Sequence, residues 1–168
     1  MGKLKRLGFL TILFCACTFC FANQISFQIV QHDESQDSVS EDSMTIEDAV
    51  LNSFFESGYI VTNSDAAISN SENQDEKLYK IGTNDAFNGY SDFFVQIKLF
   101  YERTEQTLVN SSDLYKIDFV IAKPKTGTKI AQKTISNIKV EAGKKNNLVK
   151  ISSDLVNQIN KALRENKA

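Results

Sequence analysis

The sequence predicts an α+β fold, a two-layer sandwich in which a mixed sheet of about five strands carries its helices on one face, in the order β-α-β-α-β-β-β-α. Three observations carry this expectation. Ser91–Arg103 and Asp113–Ala122 alternate apolar and polar residues with the period of a half-buried strand. A capped apolar stripe near residue 50 and a longer one from Asn147 to Glu165 repeat with the period of a helix. A single proline, Pro124, argues against a loop-dominated chain.

Taken in order, Gln24–Gln31 places Ile25, Phe27 and Ile29 on one face and Ser26 and Gln28 on the other, so it reads as a strand. His32–Ser43 is polar and acidic and reads as a flexible loop. Thr45-Ile46-Glu47-Asp48 fits a capping box, followed by the stripe Ile46, Ala49, Val50 and Phe54, with Gly58 placed to end the helix. Tyr59–Thr62 is a short β-branched strand. Asn63–Glu76, rich in Asn, Ser and Asp, reads as loop with a turn of helix at Asp65–Ile68. A second helix starts near Gln74, is interrupted near Gly82, and a further turn spans Thr83–Asn88.

The strongest strand is Ser91–Arg103, with Phe93, Val95, Ile97, Leu99 and Tyr101 on one face. Asp113–Ala122 repeats the design with Tyr115, Ile117, Phe119 and Ile121. Pro124 fixes φ and Gly127 permits positive φ, so Lys123–Gly127 is a turn. Thr128–Val140 is the last strand. The final helix carries Leu148, Ile151, Leu155, Ile159 and Leu163; its width favours packing on the sheet over a dimer seam. Helical crossovers make the first three strands parallel, and hairpins make the last three antiparallel.

Residues 1–22 read as an export signal, and 23–168 as a single globular α/β domain. Lys3, Lys5 and Arg6 precede the uncharged run Leu7–Ala22, which is short for a membrane span. Cleavage after Ala22 leaves Asn23 first and the protein free in the periplasm. Alternatively, Phe14-Cys15-Ala16-Cys17 is a loose lipobox, with Cys17 the candidate lipidation site and the outer membrane the destination. Cys17-x-x-Cys20 has metal or redox spacing, but Cys15, Cys17 and Cys20 all fall in the leader. The domain therefore has to rest on its core, and eight phenylalanines after residue 22 supply one.

Charge is uneven. From Asn23 to Glu76 there are twelve acidic residues and no Lys or Arg; from Lys77 onward there are sixteen basic and nine acidic. Two readings follow: halves that complement each other within one fold, or an acidic surface for a basic partner. Nucleic acid is not expected, since the overall balance is acidic.

The search for chemistry yields little. His32 is the sole histidine and adjoins Asp33 and Glu34, a common arrangement on solvated loops. Asp33, Glu34, Asp37, Glu41 and Asp42 suggest an oxygen cage, but the glycine of a calcium loop is missing. No G-x-S-x-G or phosphate-loop motif occurs, and the cysteines all lie in the leader. Glu102 and Asp118 stand on strand faces, where pairing with Lys98 or Lys116 is the plainer use. Catalytic, metal and cofactor residues are accordingly assigned as none.

Gly58-Tyr59-Ile60-Val61 after the first helix, Gly89-Tyr90-Ser91-Asp92-Phe93-Phe94-Val95 opening a strong strand, and the turn Thr126-Gly127-Thr128 together suggest one group. The chain resembles the envelope α/β domains typified by the N-terminal domain of TolB. The curli-secretion lipoprotein and the lipoprotein activators of penicillin-binding proteins share that architecture. Asn63-Ser64 stands where the group often has an arginine, and the chain lacks room for the curli protein's membrane-spanning insertions. The resemblance implies an exported, non-catalytic interaction module, without cofactor, whose partner is another cell-envelope protein. It meets the membrane only through its leader or a lipid anchor. A sheet edge or the acidic loop, with Asp33, Glu34, Asp37, Glu41 and Asp42, is the expected contact. The alternative is a small periplasmic hydrolase or ligand-binding protein.

Overall fold

The computed structural model describes residues 22–102, 113–138, 140 and 145–166. Cys15, Cys17 and Cys20 lie outside the described residues, and with them the lipidation site. Five strands, β1 (Gln24–His32), β2 (Ile60–Ile68), β3 (Phe93–Glu102), β4 (Asp113–Lys123) and β5 (Thr128–Ser136), form one sheet in the order β2-β1-β3-β4-β5. Three helices accompany them: α1 (Glu41–Glu56), α2 (Glu72–Asn88) and α3 (Lys145–Glu165). β1 pairs parallel with β2 and β3, while β3-β4-β5 is an antiparallel meander. The α+β class, the element order and the mixed sheet are those the sequence predicts.

Helix placement adds one particular that alternation alone does not reveal. The crossover β1-α1-β2 runs one way along the sheet, and β2-α2-β3 runs back across β1. Right-handed crossovers in opposite directions place their helices on opposite faces. α1 and α3 lie together on one face, where Ile46, Val50 and Phe54 meet Leu148, Leu155, Val156, Ile159 and Leu163 over Phe27, Val95, Ile97 and Phe119. Each such fully buried side chain contributes roughly 1.5–3 kcal/mol relative to exposure. α2 covers the other face, with Tyr79 against Phe94 at 5.8 Å between ring centroids. The sequence reading, which expects all the helices on one face, is corrected here, because the two crossovers run in opposite directions.

Several boundaries differ from the sequence reading. α1 starts one turn before the Thr45 capping box: Ser40 is the N-cap and accepts the Ser43 amide at 3.2 Å, with Glu41 and Asp42 in the first turn. Asn63–Ile68 is strand rather than loop or helical turn, because pairing with β1 overrides the weak propensity of Asn and Ser. α2 runs unbroken through Gly82 from its N-cap Ser71. A Cβ at Gly82 would collide with the Phe94 ring, so this glycine permits close packing and marks no helix end. β5 stops at Ser136, four residues short of Val140.

Candidate functional site

The C-terminal ends of β1, β2 and β3 meet at one end of the domain. There β1 exits toward α1 and β2 toward α2 on the opposite face, which opens a crevice between the departing chains. A cavity of about 570 Å³ occupies it, lined by His32, Asp33, Glu34, Ser35, Ser69, Asn70, Phe100, Tyr101, Glu102 and Tyr115. Its floor is aromatic. His32 stacks on Phe100 at 4.4 Å and 15°, and Tyr115 meets Phe100 edge-on at 6.5 Å. Lys116 Nζ stands 3.6 Å from the Phe100 centroid, a cation–π contact, and lies 3.6 Å from Asp118.

Asp75, in the first turn of α2, links the halves of the chain that differ in charge. Lys98 Nζ donates to its Oδ2 at 3.0 Å, and His32 Nε2 lies 3.0 Å from Oδ1. That second approach is short but poorly directed for a hydrogen bond, and the imidazole is held between Asp75 and its stack on Phe100. Burial pushes the His32 pKa below its ordinary 6.5; Asp75 opposes the shift, and Lys98 and Lys116 reinforce it. The charge complementarity anticipated between the two parts of the chain is thus realised at Lys98–Asp75.

The acidic segment is organised by a buried glutamine. Gln31, fully buried, accepts the Ser40 amide at 2.8 Å and the Ser43 hydroxyl at 2.7 Å, and its amide donates to the Ser38 carbonyl at 3.3 Å. With the Ser43 proton committed to Gln31, the Tyr101 phenol donates to Ser43 at 2.9 Å. Burial pushes the Tyr101 pKa up to about 12. Asp33 accepts the Ser35 amide and hydroxyl at 2.9 and 2.6 Å, an Asx turn at the start of the segment. The stretch read as a flexible loop is therefore pinned at both ends.

The structure separates the five acidic candidates. Asp33 is buried in its turn, whereas Glu34, Asp37, Glu41 and Asp42 are exposed, the last two in the first turn of α1. The neighbours His32, Asp33 and Glu34 do not converge: His32 faces Asp75, Asp33 turns to Ser35, and Glu34 meets solvent. Among the described residues no group of three His, Cys, Asp or Glu side chains is arranged to hold a metal. Sequence reasoning missed Gln31, Asp75 and Phe100, and it read Tyr115 as an inward residue of β4, whereas a bulge opposite Phe100 and Tyr101 gives the core position to Leu114 and turns Tyr115 onto Phe100. The signal was the second face of β3, where Phe94, Gln96, Lys98 and Phe100 are too apolar for open solvent. Among the described residues no helix is long and apolar enough to cross a membrane.

No curated protein matches the chain. Among solved structures it is similar to the PelC dodecamer subunit from Paraburkholderia phytofirmans, with 12% identity over 84% of this chain and 87% of that one and a TM-score of 0.47. It is similar to protein XCC0632 from Xanthomonas campestris, with 11% identity over 86% and 87% of the two chains and a TM-score of 0.49. It is also similar to TolB from Acinetobacter baumannii, with 14% identity, a TM-score of 0.44, and coverage of 85% of this chain and 28% of TolB. Residues 24–165 match the model of a protein family described as "Uncharacterised protein", and the chain belongs to that family.

Proposed function

We propose that this protein is an exported, non-catalytic module that recognises another cell-envelope protein with the end of the domain where the parallel strands finish. One observation carries the reading: Glu34, Asp37, Glu41 and Asp42 are displayed on a segment held by Gln31, beside a cavity floored by Phe100 and Tyr115. Of these four acids Glu34 lines the cavity itself; a preorganised acidic segment beside aromatic side chains suits a partner segment that offers cations and one apolar side chain. Export rests on the leader, which ends in either a free Asn23 or a lipidated Cys17. The edges of the sheet, β2 and β5, offer a second route through main-chain pairing. The cavity also lies where open α/β sheets place small molecules, which supports ligand binding or hydrolysis as the second reading.

The test is expression of the full chain in a bacterial host, envelope fractionation, intact mass, and cross-linked capture of partners. The expected result is an envelope protein captured by the native chain and lost from the variant Glu34→Lys, Asp37→Lys, Glu41→Lys, Asp42→Lys. Capture indifferent to those charges, retention in the cytosol with Met1 attached, or turnover of a substrate in the cavity each overturns the proposal.

A further inference from the structure

The opposite end of the domain, where the chain arrives from its leader, carries a group of apolar side chains that the described residues leave exposed. Asn23 sits between the starts of β2 and β3: its carbonyl accepts the Ile60 amide at 3.1 Å, and the neighbouring Gln24 carbonyl accepts the Asp92 amide at 2.9 Å. Around this point Phe55 is 71% exposed, Ile60 54%, Phe87 51% and Tyr90 83%. All four belong to the chain turns at this end: Gly58 bonds back to Phe55, Ile60 opens β2, and Tyr90 bonds back to Phe87. Tyr90 holds φ at +59°, where Gly or Asn would sit without strain, so a bulky aromatic is kept on the surface at a position unfavourable to it.

Cations share this end. Lys123 and Lys125 form the β4–β5 turn and border a crevice with Asn23, Phe93 and Asn166, and Arg164 lies in the last turn of α3. Carboxylates are present too: Asp92 lines the same crevice and accepts the Gln24 amide at 3.0 Å, Glu56 and Asp85 are exposed, and Glu165 pairs with Lys161. The four acids of the opposite end are a strand's length away, so the molecule is polar along its strands, with an acidic distal end and an apolar, partly basic proximal end.

We propose that the proximal end lies against a lipid bilayer, with Phe55, Ile60, Phe87 and Tyr90 at the headgroup level and Lys123 and Lys125 facing anionic headgroups. The occupant follows from where the chain leads. Ala22 opens onto the apolar run Leu7–Phe21, and Cys17 is only six residues before Asn23. An anchor at either place holds this end of the domain within a few residues of the membrane. Exposed aromatic and aliphatic side chains flanked by Lys suit that interface, and an aromatic with a polar tip, as at Tyr90, is typical of it. The orientation directs the acidic rim away from the bilayer toward other proteins. The inference rests on the export reading for its biological setting but not for its test.

The test uses the full chain as purified, processed or not, on vesicles of phosphatidylethanolamine and phosphatidylglycerol. The chain has no tryptophan, so Phe87→Trp and Asp37→Trp each place a single reporter, at the proximal and distal ends. The expected result is a blue-shifted emission quenched by brominated lipid for Phe87→Trp and unchanged, unquenched emission for Asp37→Trp. Adding Tyr90→Gly and Phe55→Ser to the Phe87→Trp chain is expected to reduce quenching by about tenfold or to abolish it. Water-like emission from Phe87→Trp on vesicles overturns the proposal, as does equal quenching at both ends. A blue shift that depends on protein concentration without lipid also overturns it, by assigning the group to a second copy of this chain. Failure of export leaves these optical outcomes unchanged, so the two readings fail separately.

Discussion

The ring of Phe94 lies directly against Gly82, so closely that a Cβ on the glycine would stand 2.8 Å from Cε2 and nearer still to Cζ. Phe94 is fully buried and packs against Tyr79, which limits how far the ring can yield. Ala in place of Gly inside a helix ordinarily stabilises by about 0.5–1 kcal/mol. Here Gly82→Ala is expected to destabilise by about 1–3 kcal/mol, the cost of overpacking. Urea denaturation checks the sign, and Phe94→Leu in the same chain is expected to restore part of the loss.

Gln31 fastens the acidic segment to β1, α1 and β3. Gln31→Leu leaves the Ser40 amide and the Ser43 hydroxyl short of a partner, at a cost of about 2–3 kcal/mol. Amide exchange at Asp33–Ser40 is expected to accelerate more than exchange in β4 or α3. Equal protection of that segment in both proteins would show that Gln31 does not hold it.

His32 makes stability depend on pH in a defined direction. Burial lowers its folded pKa below 6.5, so as pH falls the unfolded chain binds the proton first. The stability contributed by the neutral imidazole is complete above about pH 6.5 and declines as pH falls from there to the folded pKa. Comparison of urea midpoints at pH 7.5 and 5.5 is expected to show a smaller difference in His32→Phe, which keeps the stack on Phe100. The single histidine gives one imidazole signal for NMR titration; Lys98→Met removes a cation that disfavours the imidazolium and is expected to move its midpoint upward. A wild-type midpoint above 6.5 contradicts the argument.

Tyr90 is strained by its positive φ, an energy of about 1–2 kcal/mol for a side chain with a Cβ. Tyr90→Gly is expected to raise the thermal midpoint or leave it unchanged, the entropy of glycine in the unfolded chain offsetting part of the relief. A marked fall would mean that the exposed ring packs within the fold.

Much of the architecture was legible from residue order. The alternation in Phe93–Leu99 and Ile117–Ile121, the helical stripes ending at Phe54 and Leu163, and the Pro124–Gly127 turn each follow from local rules that the fold obeys, whereas a bulge at the start of β4 breaks the alternation at Tyr115. The helix start at Ser40 was hidden because Thr45 offers an equally good local cap, and only the bonds from Gln31 favour the earlier one. Asn63–Ile68 was hidden because an edge strand needs one paired side, and composition does not record the neighbour that supplies it.

The site was less legible than the fold. The acidic residues were visible as a run, but whether they turn inward or outward depends on bonds to Gln31 and Ser35, formed only when β1, α1 and β3 come together. Asp33 went inward; Glu34, Asp37, Glu41 and Asp42 stayed outside. By itself the chain's order of residues determined class, strand count and pairing direction, because periodicity and capping act over a few residues. Tertiary structure alone decided that α2 covers the second face, that His32 meets Asp75 across 43 positions of chain, and that Phe55, Ile60, Phe87 and Tyr90 share one end. The reason is geometric: strand order and crossover direction are properties of the whole sheet, and side chains far apart in sequence become neighbours only once that order is set.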